Sequence, residues 1–184
     1  MTTANSMLAI PAWDQCRLTD GGRPSTLPGV RLLLKNVIFT LVLPGTLGVY
    51  LPLWIAQGPL RARDVLGLTG LALLALGAAI YAWCVWDFAS FGGGTPAPID
   101  APKRVVTRGL YRYVRNPMYV GVLTFILGLA ALHRSAPVAA YAAVVATGFH
   151  LFVRLYEEPH LRSVFGADYA AYCRRVGRWL PKRA

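Results

Sequence analysis

Four apolar stretches dominate this chain, and a membrane is the environment that most directly requires helices of their length. They run Asn36–Leu60, Val65–Trp86, Pro117–Leu132 and Ala136–Val153, and none contains Asp, Glu, Lys or Arg. A helix of about 20 apolar residues crosses the hydrocarbon core, because lipid offers the backbone no partners and each hydrogen bond must close within the segment. Pro44 and Pro52 are expected to kink the first stretch without abolishing it. The third and fourth are expected to form a hairpin across His133-Arg134-Ser135. Ala139, Ala142, Ala143 and Ala146 recur at helical spacing, which predicts close packing of that hairpin. The expected fold is therefore all-α: a polytopic membrane helical bundle of about four transmembrane helices, forming a single domain over residues 1–184.

Composition supports this reading. Hydrophobic residues make up 55% of the 184 and charged residues 15%, with a mean hydropathy of +0.46. Soluble domains carry about 25% charged residues. Disorder and a secreted disulfide scaffold are both disfavoured, since Cys16, Cys84 and Cys173 have no pairing spacing. The N-terminal segment, residues 1–28, is polar and lacks the pattern of a secretory signal, and the C-terminus has no prenylation box.

The net charge of +11 would fit a nucleic-acid binder until its distribution is considered. Of the 19 Lys and Arg, 16 fall on one side of a four-span topology: Arg17, Arg23, Arg31 and Lys35; Lys103, Arg104, Arg108, Arg112 and Arg115; and Arg154, Arg162, Arg174, Arg175, Arg178, Lys182 and Arg183. Only Arg61, Arg63 and Arg134 fall on the other. This asymmetry predicts that both termini are cytoplasmic. It assigns the basic excess to topology and anionic headgroups, so no nucleic-acid partner is expected.

Segments 92–116 and 154–184 would then share the cytoplasmic side. Gly92–Pro98 is a turn-forming stretch; its Gly-x-Gly-x-x-Ala pattern lacks the strand-to-helix setting of a dinucleotide site. Pro159–Tyr172 reads as an amphipathic helix, with Leu161, Val164, Phe165, Tyr169 and Tyr172 on one side. Arg115-Asn116-Pro117-Met118-Tyr119-Val120-Gly121 starts a helix, with Asn116 as N-cap and Pro117 at the first turn. The exposed N–H groups there, beside Arg115, could receive a carboxylate or phosphate. Glu157-Glu158 closes the fourth span, and adjacent carboxylates at that level call for paired arginines, Arg154 or Arg162, or for a bound cation. A hairpin brings the two motifs to the same end, where an anion receptor facing a cation receptor suits a zwitterion. His133, His150 and His160 have no ligand spacing, so no metal is expected.

Three blocks carry a family resemblance: Lys103–Tyr111, Arg115–Gly121, and Glu157-Glu158 with Phe165–Val176. In order and spacing they resemble the integral-membrane methyltransferases related to isoprenylcysteine carboxyl methyltransferase and phospholipid methyltransferase, over roughly Gly92–Pro181. The resemblance implies S-adenosylmethionine as methyl donor under a cytoplasmic cover. By position it implies that Val105, Val106, Tyr111, Asn116, Pro117, Met118, Tyr119 and Glu157 contact the cofactor, with Arg115 and Glu158 in support. Asn116 stands where better-known members have His, and it cannot titrate. The implied chemistry is in-line displacement at a sulfonium methyl, which needs proximity and desolvation. A carboxylate acceptor needs no base, whereas an amine or thiol does, and Glu158 or His160 could serve as one. Arg154, one position from the family's substrate arginine, is the candidate to pair with an anionic acceptor. The expected partners are membrane lipids and a lipophilic or lipid acceptor. That acceptor is foremost a prenylated or similar carboxylic acid, then a phospholipid amine or a small lipophilic amine or thiol. A non-catalytic membrane subunit is the reading from another class.

Overall fold

The computed structural model describes residues 30–88, 90 and 107–182. Val105 and Val106 lie outside the described residues. Helices account for nearly all of this part of the chain. α1 (Val30–Gly45), a π-helical turn (Thr46–Tyr50) and α2 (Leu51–Ala56) form one uninterrupted rod. α3 (Val65–Asp87), a 3-10 turn (Gly109–Arg112), α4 (Pro117–His133) and α5 (Ala136–Phe152) follow. A second π turn (Val153–Glu157) then leads into α6 (Glu158–Arg175). Three stretches are long and apolar enough to cross a membrane: Val37–Ala56, Val65–Asp87 and Ala136–Arg175. α4 is a shorter apolar helix of 17 residues.

Boundaries shift where local chemistry overrides the apolar run. The first helix starts before Asn36 and stops at Ala56, where Gln57 turns left-handed (φ 39°), so Gln57–Leu60 is loop. The third stretch of 40 residues would extend about 60 Å, twice the hydrocarbon thickness. Its apolar part is α5. We therefore place Glu157, Glu158 and α6 beyond the spanning segment, continuous with α5 and broken at Gly166 (φ 49°).

Two helix starts follow directly from sequence. Asp64 caps α3 by accepting the Gly67 N–H at 2.8 Å, and Ser135 caps α5 through Val138 at 3.4 Å. The prolines of the first rod act differently from a simple kink. In the π turn the Leu51 N–H reaches back five residues to the Thr46 carbonyl. The next bond in that ladder would come from Pro52, which has no N–H. The Leu47 carbonyl, left over, accepts the Tyr141 hydroxyl of α5 at 3.0 Å. Thr40 and Tyr81 make a second tie, hydroxyl to hydroxyl, between the rod and α3.

The closest backbone approach lies between α3 and α4, not within the α4–α5 hairpin. Gly70 and Gly77 face Gly121 and Gly128, and both pairs repeat at seven residues. A Cβ on Gly77 would sit 2.6 Å from the Phe125 nitrogen, and one on Gly128 would sit 2.8 Å from the Leu74 nitrogen. Of the alanines expected to bring the hairpin together, only Ala142 is buried, while Ala139 and Ala143 are exposed. The core gathers Val122, Ile126 and Leu129 of α4 against Val138, Ala142 and Val145 of α5. Outward faces are apolar instead: Trp54, Val65 and Val144 are 72%, 82% and 69% exposed. A surface of this kind is matched to lipid.

Candidate functional site

At one end of the bundle, four pieces of chain converge: the 3-10 turn, the start of α4, the second π turn and the segment after α6. The π turn decides which acids point inward. Its i+5 bonding, completed by the Glu158 N–H to the Val153 carbonyl, brings Glu158 back over Val153. In an α-helix the fourth residue on, Glu157, would take that place alone. Val153 and Glu158 are 1% and 4% exposed, and Glu157 beside them is half-buried.

The two acids have different partners. Glu157 accepts the Tyr119 hydroxyl at 2.9 Å, which joins the first turn of α4 to the π turn. Burial raises its pKa, the Tyr119 bond opposes that rise, and the Glu158 charge adds to it. Glu158 is held by arginines. Arg178 grips it two-pronged, Nε to Oε1 at 2.7 Å and Nη2 to Oε2 at 2.9 Å. Arg115 Nη1 lies 3.1 Å away and Arg162 stands at 3.8 Å. Burial alone would raise the Glu158 pKa, but Arg178, Arg115 and Arg162 outweigh it and leave the carboxyl below its ordinary value.

Glu158, expected as a candidate base, is engaged by arginines on both carboxylate oxygens. Of the two arginines expected to pair with the acids, Arg162 is the one that approaches Glu158, at 3.8 Å. Arg154 is exposed with Leu155 and Tyr156 and, among the described residues, forms no ion pair. His160 is exposed too, stacked on Tyr156 at 6.1 Å.

Asn116 holds the N-cap position without capping: its side chain makes no bond to the helix and donates Nδ2 to the Arg178 carbonyl at 3.3 Å. The Met118 and Tyr119 N–H groups, which no preceding turn can satisfy, are therefore left without a side-chain acceptor from the cap. Next to them Arg115 donates to Cys173 Sγ at 2.7 Å, and its Nε is buried without a partner. An uncapped helix start and an orphaned guanidinium N–H thus lie at the end of the bundle that holds Glu157 and Glu158.

The second half of α6 and the chain after it fold back against this end of the bundle. Tyr169, Tyr172 and Val176 make a small core with Leu161 and Phe165, whereas Val164, expected on that side, is exposed. The Tyr172 hydroxyl donates to the Tyr111 carbonyl at 2.7 Å, and the Arg115 N–H to the Gly177 carbonyl at 2.8 Å. Buried Tyr111 packs edge-on to Phe88 at 5.5 Å, and burial pushes its hydroxyl well above its ordinary pKa. Sequence reading missed two contributors here. Arg178 was counted only as one topological charge among many. Trp179 lies 6.3 Å from Tyr119 and donates its indole N–H to His150 Nδ1 at 3.2 Å.

A family model described as phospholipid methyltransferase matches residues 65–168, more than half of the chain. The chain belongs to the phospholipid methyltransferase family. The match takes in α3, the 3-10 turn, α4, α5 and the acid pair. Among individual proteins, it is similar to protein-S-isoprenylcysteine O-methyltransferase B of Arabidopsis thaliana, at 35% identity over 79 residues. That stretch is 42% of this chain and 40% of the relative, so the match spans well under half the relative's length. Membership accounts for two sets of blocks seen in the sequence: the Arg115–Gly121 helix start and the paired acids at residues 157 and 158.

Proposed function

We propose that this family member transfers a methyl group from S-adenosylmethionine to a lipophilic acceptor at the headgroup level of the membrane, on its cytoplasmic side. The observation that carries the reading is the half-buried Glu157 held by Tyr119 of the uncapped start of α4, while Glu158 is consumed by arginines. S-adenosylmethionine supplies an electrophilic methyl group on a sulfonium centre. Glu157 would receive its ammonium group. The Met118 and Tyr119 N–H groups and the orphaned Arg115 Nε would receive its carboxylate. Val105, Val106, Tyr111, Asn116 and Pro117 complete the assignment. Glu158 and Arg178 act one step back, fixing Arg115 and the covering segment.

An isoprenylcysteine-like carboxylate is the acceptor we favour. With Glu158 committed to ion pairs and Asn116 unable to titrate, the site offers little to deprotonate an amine, and a carboxylate requires no such step. The curated relative named as an O-methyltransferase supports the same choice. Arg154 stands exposed just below the acid pair, where a lipid carboxylate lying along α5 would meet it.

Calorimetric titration of the detergent-purified protein with S-adenosylhomocysteine tests the donor site. Saturable binding is expected, with at least a tenfold loss in Glu157→Gln; a folded wild-type protein that does not bind would end the enzymatic reading and favour a non-catalytic membrane subunit. Radiolabelled methyl transfer into lipid extracts then tests the acceptor. Label released by mild base marks a methyl ester, and base-stable label marks methylation on nitrogen or sulfur.

A further inference from the structure

We propose that Asp87, at the end of α3, is a positioning residue of the donor site that acts through the turn carrying Tyr111. The inference rests on the methyl-donor reading for its functional half only. Asp87 is 4% exposed, and its Oδ2 has no hydrogen-bond partner among the described residues. A buried carboxylate with an idle oxygen is costly, so its retention calls for a use. Charge and dipole are supplied by Arg108 and by the Trp83 indole N–H, both of which act on it.

The contact that gives Asp87 its role is with Gly109. A Cβ there would lie 2.1 Å from Asp87 Oδ2 and 3.0 Å from Trp83 Nε1, so the carboxylate packs directly on the turn's backbone. Gly109 also has φ +55°, the left-handed region. Residue 109 must therefore be glycine on two independent counts. Consecutive residues at the end of α3 and its C-cap thus hold both parts of one turn, Asp87 the backbone at Gly109 and Phe88 the ring of Tyr111 at 5.5 Å. The turn passes this placement on. The Tyr111 carbonyl anchors the Tyr172 hydroxyl of α6 at 2.7 Å, and α6 starts at Glu158, next to Glu157. Without the seat at Asp87, the turn loses its fixed height against α3, and Tyr111 loses its hold on α6.

The test uses the full chain in detergent and four variants: Asp87→Asn, Gly109→Ala, Tyr111→Ala and the Asp87→Asn/Tyr111→Ala pair. Two readouts are taken, the calorimetric Kd for S-adenosylhomocysteine and the rate of tryptic cleavage after Arg108 and Arg112 in unliganded protein. Asp87→Asn is expected to weaken binding about tenfold and to speed cleavage at least tenfold, and Gly109→Ala to do the same from the other side of the contact. Because Asp87 acts through Tyr111, the double variant should bind no more weakly than Tyr111→Ala alone, a result that a general loss of stability would not give. Wild-type cleavage rates in both Asp87→Asn and Gly109→Ala would overturn the proposal, and so would fully additive binding losses. Should the wild type bind no S-adenosylhomocysteine, the donor reading fails, and the cleavage rates alone decide whether Asp87 seats the turn. If Asp87→Asn does not fold, Gly109→Ala carries the same comparison.

Discussion

Replacing Arg178 by Met removes the two-pronged partner of Glu158 while keeping much of the side chain's bulk. The Glu158 side chain is 5% exposed and that of Arg178 28%, so the pair is largely out of water. Taking one member from a buried ion pair costs about 3–5 kcal/mol, chiefly because the other charge is left behind. Arg115 remains at 3.1 Å and Arg178 is partly solvated, which places the expected loss near the lower figure, about 3 kcal/mol. For a chain of this size each kcal/mol moves Tm by roughly 2–4 °C, so a drop of about 6–12 °C is expected. Tryptophan fluorescence during thermal melting at pH 7 reads it, with Trp179 next in sequence as the reporter. Adding Glu158→Gln removes the stranded charge and should recover part of the loss, making the double variant less damaged than the sum of the singles. The sign with pH is fixed. Glu158 has a lowered pKa, so its contribution is present above the unfolded carboxyl's pKa and is lost as pH falls through the folded value. A melting temperature within 2 °C of wild type for Arg178→Met, or strictly additive singles, would refute the reasoning.

Two further outcomes follow from features already described. Because burial raises the Glu157 pKa above that of an ordinary carboxyl and the ionised form is the one that receives an ammonium, S-adenosylhomocysteine affinity should fall, as pH is lowered, at a higher pH than for an ordinary carboxyl. In Glu157→Gln the remaining affinity should lose that dependence, as calorimetry across pH would read. Gly77→Ala puts a methyl 2.6 Å from the Phe125 backbone nitrogen, an overpacking that costs about 1–3 kcal/mol. Gly148→Ala, with nothing within 4 Å, should melt like the wild type. Equal melting of the two would refute the α3–α4 contact.

The helices were legible because the hydrophobic runs and their starts are local: Asp64 and Ser135 each cap a residue three positions on, and Pro117 takes a first helical position. The convergence of Tyr119 with Glu157 was legible at the level of topology, since a hairpin must return to the end from which it left. Partner choice was not. Arg154 and Glu158 are spaced i, i+4, which in an α-helix invites a pair, but the π turn changed the register and Glu158 found Arg178, 20 residues on. Asn116 fits the helix-start pattern, yet its amide goes to a carbonyl 62 residues away, a contact that no local rule contains. Alanine spacing drew attention to the α4–α5 hairpin, where Ala142 joins the core, while the seven-residue repeat of Gly70, Gly77, Gly121 and Gly128 carried the signal for the closer backbone approach. Asp87 carries no local motif, and only its packing against Gly109 distinguishes it.

The two kinds of attachment between helices divide the bundle mechanically. α3 and α4 meet backbone to backbone at four glycines, where a shift of a few tenths of an ångström produces collisions that no rotamer change can relieve. The first rod is tied instead through two tyrosine hydroxyls, Tyr81 to Thr40 and Tyr141 to the Leu47 carbonyl that Pro52 leaves over. A hydroxyl bond can be traded for another acceptor by turning one torsion. Among the described residues, the polar ties of the first rod are thus the exchangeable ones, while the glycine-locked pair beside it admits no such exchange.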